Sequence, residues 1–85
     1  MGWVIAGKPE GTLPVVGGVY EVRHSRKGTF IIKVLEVGNG WLTGEITKGI
    51  AKAVCTYNIA YEGDEVRISD SMSYLIEQPA AEKTP

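Results

Sequence analysis

The 85-residue sequence predicts a mostly-β domain of five to six short strands, forming a small barrel or a rolled antiparallel sheet. Three observations carry that expectation. Val, Ile, Thr and Tyr recur in period-two alternation, the signature of strands with one face buried. The chain holds 11 glycines and 4 prolines, a balance that suits tight turns between strands better than a helical bundle. An Asn39-Gly40 pair separates two apolar runs, which is the strongest short-range signal for a hairpin. Strands this short must protect their edges, and curling the sheet does so.

Residues 1–14 read as an extended N-terminal arm, because Gly7, Pro9, Gly11 and Pro14 interrupt any regular element. Within it Trp3, Val4 and Ile5 are costly to leave in water, so this candidate interaction arm is expected to pack on the domain or on a neighbouring chain. The apolar opening has no basic segment and soon meets Lys8 and Pro9, so it predicts neither a signal peptide nor a span of ~20 apolar residues. No membrane partner is expected.

Residues 15–77 form the predicted β-domain. Val19 to His24 alternates, with Tyr20 and Val22 on one face and Glu21 and Arg23 on the other; a polar connection, Ser25 to Gly28, follows. From Thr29 to Val37, Phe30, Ile32 and Val34 share the inward face, while Thr29, Ile31, Lys33 and Leu35 point outward. A bulge near Glu36 is needed if Val37 is to point inward. After the hairpin, Leu42, Gly44 and Ile46 face the core and leave Trp41 partly covered. Ala51 to Ile59 reads as a further strand, with Cys55 as a small core residue. Glu62-Gly63-Asp64 is a turn, Glu65 to Ile68 a strand, Ser69 to Ser73 a polar loop and Tyr74 to Glu77 the last strand. Residues 78–85 read as a flexible C-terminal tail.

Net charge is −1, yet the charges are segregated. Between Val22 and Leu35 lie Arg23, Arg26, Lys27 and Lys33 with no acid, and His24 sits among them. Between Tyr61 and Glu77, Glu62, Asp64, Glu65, Asp70 and Glu77 face Arg67 alone. Either the domain has a basic and an acidic face, or the two segments lie side by side and compensate.

The stretch from Gly18 to Val37, a Gly-x-x-Val-x-Val-like strand followed by a polar loop, a Gly and a long apolar run, resembles the opening hairpin of SH3-like small barrels of the KOW and Tudor type. That resemblance implies a small barrel and a binding module; some such domains bind nucleic acid and others bind peptides. The chain also resembles short reading frames of phages and mobile elements.

No residue pattern points to catalysis. His24 has no second His or nearby Cys to make a metal site or catalytic pair, and it reads as a solvated loop residue. Neither a phosphate loop nor a close carboxylate pair is visible, so no enzyme activity, metal, cofactor or small-molecule substrate is expected. The single Cys55 cannot form an intramolecular disulfide, and a reducing, cytoplasmic setting is the expectation. The candidate nucleic-acid-binding set is Arg23, His24, Arg26, Lys27, Lys33 and Trp41, with cations for phosphates and an aromatic ring for a base. The alternative is a protein-interaction or homo-oligomerisation module using the arm, Ile31 and Leu35.

Overall fold

A computed structural model describes residues 2–52 and 59–78. Six strands run in chain order: β1 Val4–Ile5, β2 Val19–His24, β3 Gly28–Val37, β4 Trp41–Gly49, β5 Glu65–Ser69 and β6 Ser73–Glu77, with a 3-10 turn at Asp70–Met72. They make one sheet ordered β1-β6-β2-β3-β4-β5. The domain is mostly β, as the alternation predicts. The sheet is mixed rather than antiparallel throughout, because β1 runs parallel to β6, and it is not closed into a barrel: β1 and β5 are its two edges.

The inward faces follow the period-two reading. Tyr20, Val22, Phe30, Ile32, Leu42 and Ile46 are all buried in one core. The Asn39-Gly40 hairpin joins β3 to β4, closed by the Gly38 N–H donating to the Trp41 carbonyl at 2.8 Å. Gly40 takes φ +83°, a left-handed conformation that a Cβ would strain. Val34 pairs with Gly44 and Glu36 with Thr43, which leaves Leu35 as the extra residue of a bulge. That bulge turns Val37 against the core, as the alternation required.

A second irregularity has no sign in the sequence. Ile31 pairs with Lys48 and Ile32 with Ile46, so Thr47 is an extra residue on β4. Bulges bend a strand and increase its twist, and these two curl the β3–β4 hairpin at both of its halves. β2 pairs with the first half of β3, whereas β5 pairs with the part of β4 beside the end of β3. In a flat sheet the ends of the 10-residue β3 would stand about 30 Å apart at ~3.3 Å per residue. The curl brings them together, since a 3-10 turn carries the chain from Ser69 beside Trp41 to Ser73 beside His24. The Ser73 hydroxyl donates to the Ser69 carbonyl at 2.7 Å and fastens that turn.

The predicted arm is part of this domain's own core. Trp3 and Ile5 are 1% and 2% exposed, and only Val4, at 39%, points outward. The Ala6 N–H donates to the Leu75 carbonyl at 2.8 Å and the Gly11 N–H to the Trp3 carbonyl at 2.9 Å, so backbone bonds fix the segment in place. Apolar burial decides the matter: ~25 cal/mol per Å² makes an exposed indole the most costly side chain to leave unpacked. The expected strand from Ala51 to Ile59 lies largely outside the described residues. Its described ends, Ala51 and an Ala60 just beyond it, form one antiparallel bridge. Cys55 and the C-terminal tail beyond Gln78 also lie outside them.

Candidate nucleic-acid interface

The connection from β2 to β3 is a three-residue turn, Ser25-Arg26-Lys27, whose ends His24 and Gly28 pair across the ladder. His24 is 7% exposed, not solvated as the isolated sequence suggests. The alternation itself carried the signal, because residue 24 shares the inward parity of Tyr20 and Val22. Its Nδ1 accepts the backbone N–H groups of Arg26 at 3.1 Å and Lys27 at 3.0 Å. The ring therefore holds its proton on Nε2 and shapes the turn from beneath. Burial, and then the positive charge of Lys27, push its pKa below the ordinary histidine value. His24 is thus a support for the basic turn and not a surface contact.

The other candidate residues divide into two groups. Arg26 and Lys27 stand at the turn, with Arg26 exposed and Lys27 half-buried. The Lys52 N–H donates to the Lys27 carbonyl at 2.9 Å, which brings an exposed third cation to the same place. Lys52 could not be found from the sequence, since it lies 25 positions away and reaches the turn only through the fold. Arg23 and Lys33 lie on the outer sheet face instead. Arg23 Nε donates to Glu21 Oε2 at 3.0 Å, and Lys33 stands opposite Glu45 on β4. The basic segment is therefore partly compensated within the sheet.

Trp41 starts β4, next to the 3-10 turn. The Asp70 N–H donates to the Gly40 carbonyl at 3.1 Å, and the Ser25 N–H donates to the Met72 carbonyl at 3.0 Å. One end of the 3-10 turn thus holds the Trp41 hairpin and the other holds the basic turn. With a rise of ~2 Å per residue, these anchor points are only a few ångströms apart along the turn. Trp41 is half-buried, with the Arg67 guanidinium carbon 4.3 Å from its ring centroid. On another side it lies against Gly38, where a methyl group would occupy the space of the indole. The ring is held in place by these contacts, and Arg67, the lone cation of the acidic segment, joins it as a further cation.

Elsewhere among the described residues, one open depression is lined by Glu36, Thr43, Glu65, Val66 and Arg67, and another by Gly49, Ile50, Tyr61 and Glu62. Among the described residues no group of three or more His, Cys, Asp and Glu side chains is placed to hold a metal ion. No described helix is long and apolar enough to cross a membrane. Three aliphatic residues are well exposed on the connection before β2: Leu13 at 63%, Val15 at 61% and Val16 at 60%. The Gly17 N–H donates to the Val34 carbonyl at 2.8 Å, so this apolar segment lies beside the Leu35 bulge.

No protein-family model, no curated protein and no solved structure matches the chain, and any functional reading therefore rests on its own residues.

Proposed function

We propose that this chain is a small, non-enzymatic binding module that takes single-stranded nucleic acid along the 3-10 turn. Phosphates would meet Arg26, Lys27 and Lys52, and a base would meet the Trp41–Arg67 pair. The observation that carries this reading is the junction at Asp70–Met72, whose backbone bonds to Gly40 and Ser25 place the aromatic hairpin beside the basic turn. Cations for the backbone and a planar platform for the bases are the two elements that sequence-tolerant binding of single strands uses. Kinship with SH3-like domains, as an open curled sheet and not a closed barrel, is the fold reading that accompanies it. The antiparallel run β6-β2-β3-β4-β5, tied across its ends by the 3-10 turn, supports that kinship. A cytoplasmic location belongs to the same proposal.

The test is a fluorescence titration with oligo-dT and oligo-U at several salt concentrations, with Trp3 as the buried internal reference. Three phosphate contacts on a single strand give a slope of log K against log salt of about −2, at about −0.7 per contact. An Arg26→Ala, Lys27→Ala, Lys52→Ala variant should lose that slope. Absence of binding at low salt rejects the reading.

One observation favours a second reading, a protein partner at the segment from Leu13 to Val16. Aliphatic side chains this exposed, grouped beside Leu35, form the kind of patch that protein contacts cover. Val16→Asp would abolish such an interaction and leave the oligonucleotide titration unchanged.

A further inference from the structure

We infer that the edge of β5, which no described strand covers, pairs with β5 of a second copy of this chain, around a two-fold axis at Val66. Backbone hydrogen bonds at the two ends of β5 fix which of its groups point outward. The Ile46 N–H donates to the Asp64 carbonyl at 2.9 Å and the Asp70 N–H to the Gly40 carbonyl. In an antiparallel ladder each residue turns both of its backbone groups to the same side, and neighbours alternate. Gly44 and Leu42 therefore face Val66 and Ile68, their partners on β5. The N–H and C=O groups of Glu65, Arg67 and Ser69 are left facing the edge.

The Ser69 carbonyl is already taken, because the Ser73 hydroxyl donates to it at 2.7 Å. Glu65 and Arg67 have no such partner among the described residues. An antiparallel mate can thus use the edge only over Glu65 to Arg67, and a two-fold interface over that stretch is centred on Val66. Glu65 then exchanges backbone hydrogen bonds with the partner's Arg67, and Arg67 with the partner's Glu65. Sliding the centre to Arg67 would oppose two arginines and call on the occupied Ser69 carbonyl.

Side-chain charge selects the same register. Glu65 and Arg67 are both exposed on the outer face, and in this pairing each stands directly opposite its complement. Within one chain Glu65 stands opposite Glu45, a like-charge pair that weakens the sheet. The partner's Arg67 would supply the missing cation, extending the row from Lys33 through Glu45 and Glu65 into the second copy. Charged residues on an edge strand ordinarily discourage pairing. Here their alternation makes one register attractive and the adjacent one repulsive. The shared stretch is short, so the dimer is a weak one that forms as concentration rises.

Sedimentation equilibrium of the full chain over a wide concentration range at low salt tests this, with circular dichroism confirming that each variant is folded. The wild-type chain is expected to show a monomer–dimer equilibrium. Glu65→Arg alone and Arg67→Glu alone should each be monomeric, since each sets like charges opposite one another. Mixed together, the two single variants should form a heterodimer, and the doubly reversed chain should dimerise with itself. A wild-type chain that stays monomeric throughout overturns the inference. So does a dimer that either single charge reversal leaves intact. Arg67 also belongs to the proposed base site, so the Glu65→Arg variant, which lies outside that site, keeps the two readings apart: loss of the dimer with oligonucleotide binding retained is the result expected of it.

Discussion

Replacing His24 with Phe keeps a flat ring beneath the β2–β3 turn and removes the acceptor that holds it. The Nδ1 atom accepts two backbone N–H groups, at 3.1 and 3.0 Å. Each such bond contributes about 0.5–1.5 kcal/mol net, so His24→Phe should cost about 1–3 kcal/mol. At about 4–8 °C per kcal/mol for a domain of this size, the melting temperature should fall by several degrees or more. The same geometry fixes a pH dependence. Protonating Nδ1 destroys the acceptor, and the buried ring beside Lys27 has a pKa lowered from 6.5. The unfolded chain then binds a proton more readily than the folded one. Stability from this group is complete above the unfolded pKa, declines as pH falls below it, and levels off once pH passes the lower folded value. Melting curves from pH 7.5 to 5 should therefore show a loss of stability in the wild type that His24→Phe lacks. Parallel pH profiles for the two proteins would refute the argument. Above pH 7.5, an unchanged melting temperature in the variant would also remove the claim that the two hydrogen bonds shape the turn.

Other perturbations test other parts of the structure. Trp3→Ala should cost about 3–5 kcal/mol, as for other large core truncations, and chemical denaturation should find the chain largely unfolded. A loss within ±0.5 kcal/mol would mean that the N-terminal segment is not part of the core. Gly38→Ala should push the Trp41 indole off its place and shift its emission, while an unaltered spectrum would contradict the close approach at Gly38. Arg67→Ala should cost about 0.5–1 kcal/mol through the lost cation–π contact and weaken oligonucleotide binding in the same variant.

The strands were legible because each buries one face. The alternation of Val19–His24 coincides with the observed strand, and the Thr29 to Val37 run differs from β3 only in starting at Gly28. The Leu35 bulge was also legible, since an inward Val37 cannot follow an inward Val34 without an extra residue. Thr47 gave no such warning, because Lys48 and Gly49 after it are polar or turn-forming and offer no inward apolar side chain whose parity would reveal an extra residue. The basic turn was visible as a cluster of like charges, but the part of each charge in it was not. Arg23 meets a carboxylate on its own strand, Lys33 stands opposite one on the neighbouring strand, and Lys52 joins through its backbone bond to Lys27.

Local alternation and turn chemistry, read along the sequence, determined that this chain is mostly β, where its hairpin lies and which face of each strand is apolar. Those properties depend on residues close together in the chain, and period two makes them readable. Only the tertiary structure decided that Trp3 and Ile5 complete the core, that His24 is buried under its own turn, and that the Trp41 hairpin meets the basic turn across Asp70–Met72. Each of these depends on the curl of the sheet, which joins ends that a flat sheet would hold apart. Curl is the sum of twist and two bulges over several strands, and no short stretch of residues specifies it.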